Sequence, residues 1–124
     1  MVRRTPSCVR RDFIGKQEKL LVLRELQQRE RIHVDHYYEA LEQIGDMKYH
    51  YYDYMTTEPI HCDKELERLP EADYELCCAL LTMLLREDHF SNGSFGERYR
   101  AGQVQPILQR MIDLLSQKEG NRGN

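Results

Sequence analysis

No stretch of this chain is apolar for the length a membrane-spanning helix requires. The longest, residues 76–85, is interrupted by Thr82 and is about half of the ~20 residues needed. The N-terminus is basic, but Arg10, Arg11 and Asp12 break it before any continuous apolar segment or small-residue cleavage site, so the pattern of a secretory signal is missing. Cytoplasm is the expected location. Glycine and proline are scarce, with 7 and 4 in 124 residues, which excludes collagen-like and low-complexity classes. None of the four cysteines forms a Cys-x-x-Cys pair. Cys77 and Cys78 are adjacent on an apolar segment and cannot readily converge on one zinc, and a cytosolic setting disfavours disulfides. The thiols are expected to be reduced and to serve as small hydrophobes. The glycine-rich phosphate loop, the Gly-x-Ser-x-Gly elbow and zinc-ribbon spacing are also missing, which excludes most enzyme classes detectable from sequence.

What is present is a globular composition, 40% apolar and 31% charged, at a length suited to one domain. The net charge of −3 is unevenly spread: residues 1–31 carry +5 and the remainder −8. An acidic body repels a phosphate backbone, so nucleic-acid contact is expected only through the basic leading segment with Arg3, Arg4, Arg10 and Arg11.

Periodicity predicts a mainly α fold, a compact multi-helix domain around a buried central helix at about 72–89. Leu76, Cys77, Ala79, Leu80, Leu81, Met83, Leu84 and Leu85 leave that helix little exposed perimeter. Residues 1–15 read as a basic flexible tail. Residues 16–31 read as a peripheral leading helix, because Gln27 to Arg31 offers no apolar face. A single helical domain is expected over 33–118, and a disordered tail over 119–124. Within the domain, Asp35 is the expected cap of a helix with Tyr37, Tyr38, Leu41 and Ile44 on one buried stripe and Gly45 as its stop. Residues 48–55 read as a short strand or an extended segment. Asp63 is the expected cap of a short helix before Pro70. The last helix places Val104, Ile107, Leu108, Met111, Ile112, Leu114 and Leu115 on one face, with Pro106 in its first turn.

The segment Ala79-Leu80-Leu81-Thr82, Arg86-Glu87-Asp88-His89-Phe90, Asn92-Gly93, Phe95, Gly102, Val104, Ile107-Leu108 and Arg110 resembles the C-terminal signature of a family of small bacterial proteins known as a domain of unknown function. The resemblance spans about 35–115 and is most specific in its second half. Residues before about His33 lie outside it. It implies no activity, cofactor or partner.

Two features are candidates for function. Arg86, Asp88, His89, Asn92 and Gly93 lie where the central helix ends. A guanidinium, a carboxylate, an imidazole and free backbone N–H groups can bind an anion or supply base and electrophile. The same residues also suit a helix end, with cations on the negative pole of the dipole, Asn92 and Gly93 in the turn and Phe90 anchoring it to the core. Tyr49, Tyr51, Tyr52 and Tyr54 are the second feature: at this spacing they cannot all point inward, and exposed tyrosines suit interfaces. His33 and His36 are three apart but have no carboxylate or cysteine cluster at ligand spacing, so neither a metal nor a cofactor is expected. The leading expectation is a non-catalytic binding or regulatory module that uses both regions to hold a protein partner or a copy of itself. The alternatives are a small enzyme or anion binder centred on Arg86, Asp88 and His89, and nucleic-acid association through the N-terminal arginines.

Overall fold

In a computed structural model, which describes residues 15–122 (side chains to Ser116), the Asp73 carboxylate accepts the Leu76 backbone N–H at 2.8 Å and starts the central helix. This helix is α4 in chain order. The elements are α1 (Lys16–Gln28), α2 (Val34–Ile44), a 3-10 turn (Tyr51–Tyr54), α3 (Cys62–Leu66), a second 3-10 turn (Leu69–Glu71), α4 (Tyr74–Phe90), α5 (Ser94–Arg100) and α6 (Gln105–Arg122). No strand occurs among the described residues, and no helix among them is long and apolar enough to cross a membrane. The expectations placed on residues 1–14, including the four arginines, lie outside the described residues, as do positions 123 and 124.

Every residue of α4 from Cys77 to Leu85 is buried, because α6, α5, α2, α3 and the tyrosine turn pack around it. Such a helix gains its stability from its neighbours, at about 2 kcal/mol for each Leu fully removed from water. Leu80 and Leu84 are wholly inaccessible, whereas Leu76, near the start, is half-buried. The mainly α, multi-helix expectation around this segment is met.

Several local expectations are corrected. The leading helix is not peripheral: Leu20, Leu23 and Leu26 are buried, and α1 packs on α6 and α2. Arg24 donates to Ser116 Oγ at 3.4 Å and the Gln27 amide to Gln109 Oε1 at 2.6 Å, which fastens the exposed edge. The sequence pattern misled because the helix stops at Gln28, so the polar run to Arg31 belongs to a turn and not to an unpacked helical face. Residues 48–55 form no strand; their centre, Tyr51–Tyr54, is a 3-10 turn, in which Asp53 N–H donates to the His50 carbonyl and Met55 N–H to that of Tyr52. With no second strand to pair, the backbone satisfies its own polar groups locally. α6 continues to Arg122, past the expected end at 118.

Two expected caps are displaced by two residues. His33, not Asp35, caps α2, its Nδ1 accepting from Asp35 N–H, and His61, not Asp63, caps α3 through Lys64 N–H. In each case the carboxylate lies in the first turn, where it still opposes the positive pole of the helix dipole. Gly45 does stop α2, with φ of 76°. Tyr38 departs from the buried stripe of Tyr37, Leu41 and Ile44; it is half-buried and its hydroxyl donates to the Leu85 carbonyl at 3.0 Å.

Two buried carboxylates went unmarked in the sequence. Asp46 accepts from Lys19 at 3.0 Å and from the Tyr74 hydroxyl at 2.5 Å, joining α1 to α4. Glu65, fully buried, accepts from the backbone N–H groups of Thr56 and Thr57, from both their hydroxyls, and from Arg68.

Candidate functional site

The tyrosine turn lies against α4 and is fixed at both ends. At its start, Lys48 N–H donates to Thr82 Oγ1 at 3.2 Å, and the Lys48 ammonium pairs with Glu75. At its end, Arg68 donates to the Tyr54 carbonyl at 2.8 Å while holding Glu65 at the same distance. A turn tied to two buried anchors presents its side chains in fixed directions. Tyr49 and Tyr52 project, 69% and 53% exposed, while Tyr51 and Tyr54 are half-buried.

Between this turn and the end of α4 is a cleft of about 430 Å³, lined by Tyr38, Glu42, Met47, Lys48, Tyr49, Tyr51, Tyr52, Thr82, Arg86 and Phe90. Its size falls at the lower end of the range for small-ligand and peptide-side-chain pockets. Three of the four predicted tyrosines and the predicted arginine therefore share one concavity. Tyr54 faces a neighbouring depression with His50 and Asp53, and the Lys48 ammonium sits 5.8 Å from its ring centre.

The other members of the predicted corner do not join Arg86. Asp88, His89, Asn92 and Gly93 are outside the cleft lining. One Asp88 oxygen accepts from the backbone N–H groups of Gly93 and Phe95, both at 3.0 Å, which caps the start of α5 from the preceding turn. Gly93 takes φ of 92°, a conformation that favours glycine. His89 is exposed, with its ring 5.0 Å from that of Phe90, and Asn92 is exposed. Arg86 thus lines the cleft without Asp88 or His89 beside it in the lining.

Phe90, expected to anchor the turn in the core, is instead 78% exposed. Core anchorage is supplied by Phe95, buried against Tyr37 with ring centres 4.8 Å apart. Phe90 and Arg86 are four residues apart on one helix face, and the guanidinium lies 5.8 Å from the phenyl centre. That spacing was visible in the sequence and identifies both as neighbours on a surface. Tyr38, Glu42 and Met47 come from other elements and carried no local signal.

The electrostatics of the cleft are uneven. The Tyr49 hydroxyl donates to Glu42 at 3.2 Å; slight desolvation and then this carboxylate raise its pKa. Glu87 is taken by Arg98 at 2.6 and 2.9 Å, and Arg98 also reaches Asp63 and Gln103. Arg86 makes no hydrogen bond or ion pair among the described residues; its one partner is the Phe90 ring. The described residues contain no group of three or more His, Cys, Asp or Glu placed to hold a metal ion. Cys62, Cys77 and Cys78 are free thiols.

Comparison with known proteins finds no match among curated proteins and none among solved structures. A family model, described as a family of unknown function (DUF6508), matches residues 15–117. The match takes in α1, which the resemblance confined to about 35–115 had left out, in keeping with the burial of Leu20, Leu23 and Leu26. With most of its length so matched, the chain belongs to the DUF6508 family of unknown function.

Proposed function

We propose that this chain is a non-catalytic binding module, acting in the cytoplasm, that holds a segment of a protein partner in the cleft between the tyrosine turn and α4. The observation that carries this reading is the convergence of Tyr49, Tyr52 and Phe90, all more than half exposed, with Arg86 around one preformed concavity. Aromatic rings and arginine are enriched among the side chains that contribute most to protein interfaces: the rings bury large area at small entropic cost, and the guanidinium adds a planar fork of donors. The anchoring of the turn by Thr82 and Arg68 supports the reading further, since a rigid site loses little freedom on binding. The His50 imidazole, which contacts the Tyr52 hydroxyl at 2.9 Å, is exposed and pairs with no carboxylate among the described residues, so a catalytic reading has little to build on.

The test compares the full chain with a Tyr52→Ala, Phe90→Ala double variant as bait in cells that express the protein naturally. Both rings are exposed, so the variant should unfold at the wild-type temperature. The expected result is a partner that co-purifies with wild type at fixed stoichiometry and is lost from the double variant. A partner retained equally by both would refute the cleft as the binding surface.

A further inference from the structure

We infer that the group the cleft recognises through Arg86 is a carboxylate, that of an Asp or Glu side chain standing beside an apolar residue in the partner segment. The inference rests on the binding-module reading above and names the chemistry of its ligand.

Charge along the last turn of α4 is unevenly committed. Arg86, Glu87 and Asp88 are consecutive, yet both acids are consumed elsewhere, Glu87 by Arg98 and Asp88 by the backbone of the next helix. Other half-buried cations of the fold do find an oxygen acceptor: Lys19 has Asp46, Lys48 has Glu75, Arg68 has Glu65, Arg98 has Glu87 and Asp63, and Arg110 has the Ala72 carbonyl. Arg86 is half-buried as well but meets neither an acid nor a carbonyl among the described residues. Partial burial costs a guanidinium some of its hydration, and Phe90 beside it offers no acceptor oxygen. Its N–H donors are left for a planar acceptor, and a carboxylate matches that fork with two parallel bonds.

Two further features select a carboxylate over phosphate. Glu42 lines the same cleft, and its negative charge repels a ligand of one negative unit less than one with the nearly two carried by a phosphomonoester. Residues 32–124 carry −8 overall, which disfavours a polyanion such as nucleic acid while leaving a single acid in a short segment little affected beyond a Debye length. The exposed faces of Tyr52 and Phe90 provide the apolar contact that a lone acid would lack. The partner segment is therefore expected to carry an acid and an aromatic or aliphatic residue adjacent or one apart.

The test selects a phage-displayed random heptapeptide library on the immobilised full chain, then measures selected synthetic peptides in solution. The expected peptides carry Asp or Glu beside an apolar residue. Exchanging that acid for its amide should weaken binding to wild type roughly tenfold to a hundredfold. Arg86→Gln should weaken the acidic peptide similarly and be indifferent to the amide one, and Arg86→Lys should give an intermediate loss. Matching thermal unfolding of the variants with wild type confirms that they fold. An acid preference that persists in Arg86→Gln overturns the inference, as does a wild-type dimer in sedimentation that Arg86→Gln dissolves, because the occupant is then a second copy. Peptides without acids whose binding is lost in Tyr52→Ala and Phe90→Ala overturn the carboxylate but leave the binding module standing. Failure to select any peptide that depends on those two rings removes both.

Discussion

The Thr82 hydroxyl stands between two backbones: it donates to the Cys78 carbonyl of its own helix at 2.8 Å and accepts the Lys48 N–H at 3.2 Å. In the sequence Thr82 interrupts an apolar run; in the fold it ties the most buried helix to the turn that carries the tyrosines. Valine has nearly the same shape but no acceptor, so Thr82→Val should leave the helix intact and orphan the Lys48 N–H. A cost of about 1–2 kcal/mol is expected, read from urea unfolding. Hydrogen exchange at the Lys48 amide should accelerate well beyond that of α4 amides. Unchanged exchange there would mean that the turn is held by other contacts.

The loop between the tyrosine turn and α3 is fastened on Glu65, and this gives the fold an acid-sensitive element. Burial by itself would raise the Glu65 pKa, but hydrogen bonds from Thr57, Arg68 and Thr56 outweigh it and hold the carboxyl at about 2, against an ordinary 4.5. A depressed folded pKa stabilises the native state above the unfolded value, and that contribution disappears as pH falls from about 4.5 towards 2. Glu65→Gln should cost about 3 kcal/mol at neutral pH, since Arg68 and the loop N–H groups lose a charged acceptor. Stability measured by denaturant from neutral pH down to pH 3 should fall less steeply in this variant than in wild type. Parallel curves would assign the acid sensitivity to other groups.

Asp88 and Gly93 together make the joint between α4 and α5. Asp88→Ala removes the oxygen that accepts both N–H groups at the α5 N-terminus and should cost about 1 kcal/mol. Gly93→Ala should also cost about 1 kcal/mol; an added Cβ meets nothing within 4 Å, so the penalty is that of φ at 92° and not of crowding. Because the residues share one turn, the double variant should lose less than the sum. Neither change should alter peptide binding in the cleft. If Asp88→Ala abolished binding while unfolding normally, the carboxylate would have a role beyond the cap.

The thiols should be unreactive in the native protein. Burial, with Glu87 nearby, pushes Cys62 up to about 11, burial pushes Cys77 up to about 11, and burial raises Cys78 well above the ordinary thiol value. Since the thiolate is the reactive form, iodoacetamide at pH 8 should leave these three unmodified over a period in which the unfolded chain is fully alkylated. Peptide mass spectrometry separates them from Cys8. Fast modification of Cys62 would show that the contact between α3 and α4 opens readily.

How much of this was legible in the sequence follows from the range of the interactions involved. The central and terminal helices could be read from residues within a few turns of one another: the apolar perimeter of 76–85, the single face from Val104 to Leu115, and Gly45 as a stop all concern neighbours in the chain. The exposure of tyrosines was likewise forced, because four rings so closely spaced cannot share one interior. The leading helix was misjudged because its buried stripe of Leu20, Leu23 and Leu26 has meaning only opposite α6, far along the chain. Glu65 looked like any surface acid, since its donors Thr56 and Thr57 lie across a loop whose path the local pattern does not specify.

By itself, then, the sequence determined that this is a helical protein with a buried middle and a cluster of rings at its surface, because hydrophobic periodicity and side-chain crowding act between near neighbours. Only the tertiary structure decided that Arg86 leaves Asp88 and His89 to join Tyr49, Tyr51 and Tyr52, and that Phe90 faces water while Phe95 fills the core. Those outcomes depend on how α2, the tyrosine turn and α4 pack against one another, which sets the direction in which each side chain at the end of a helix points.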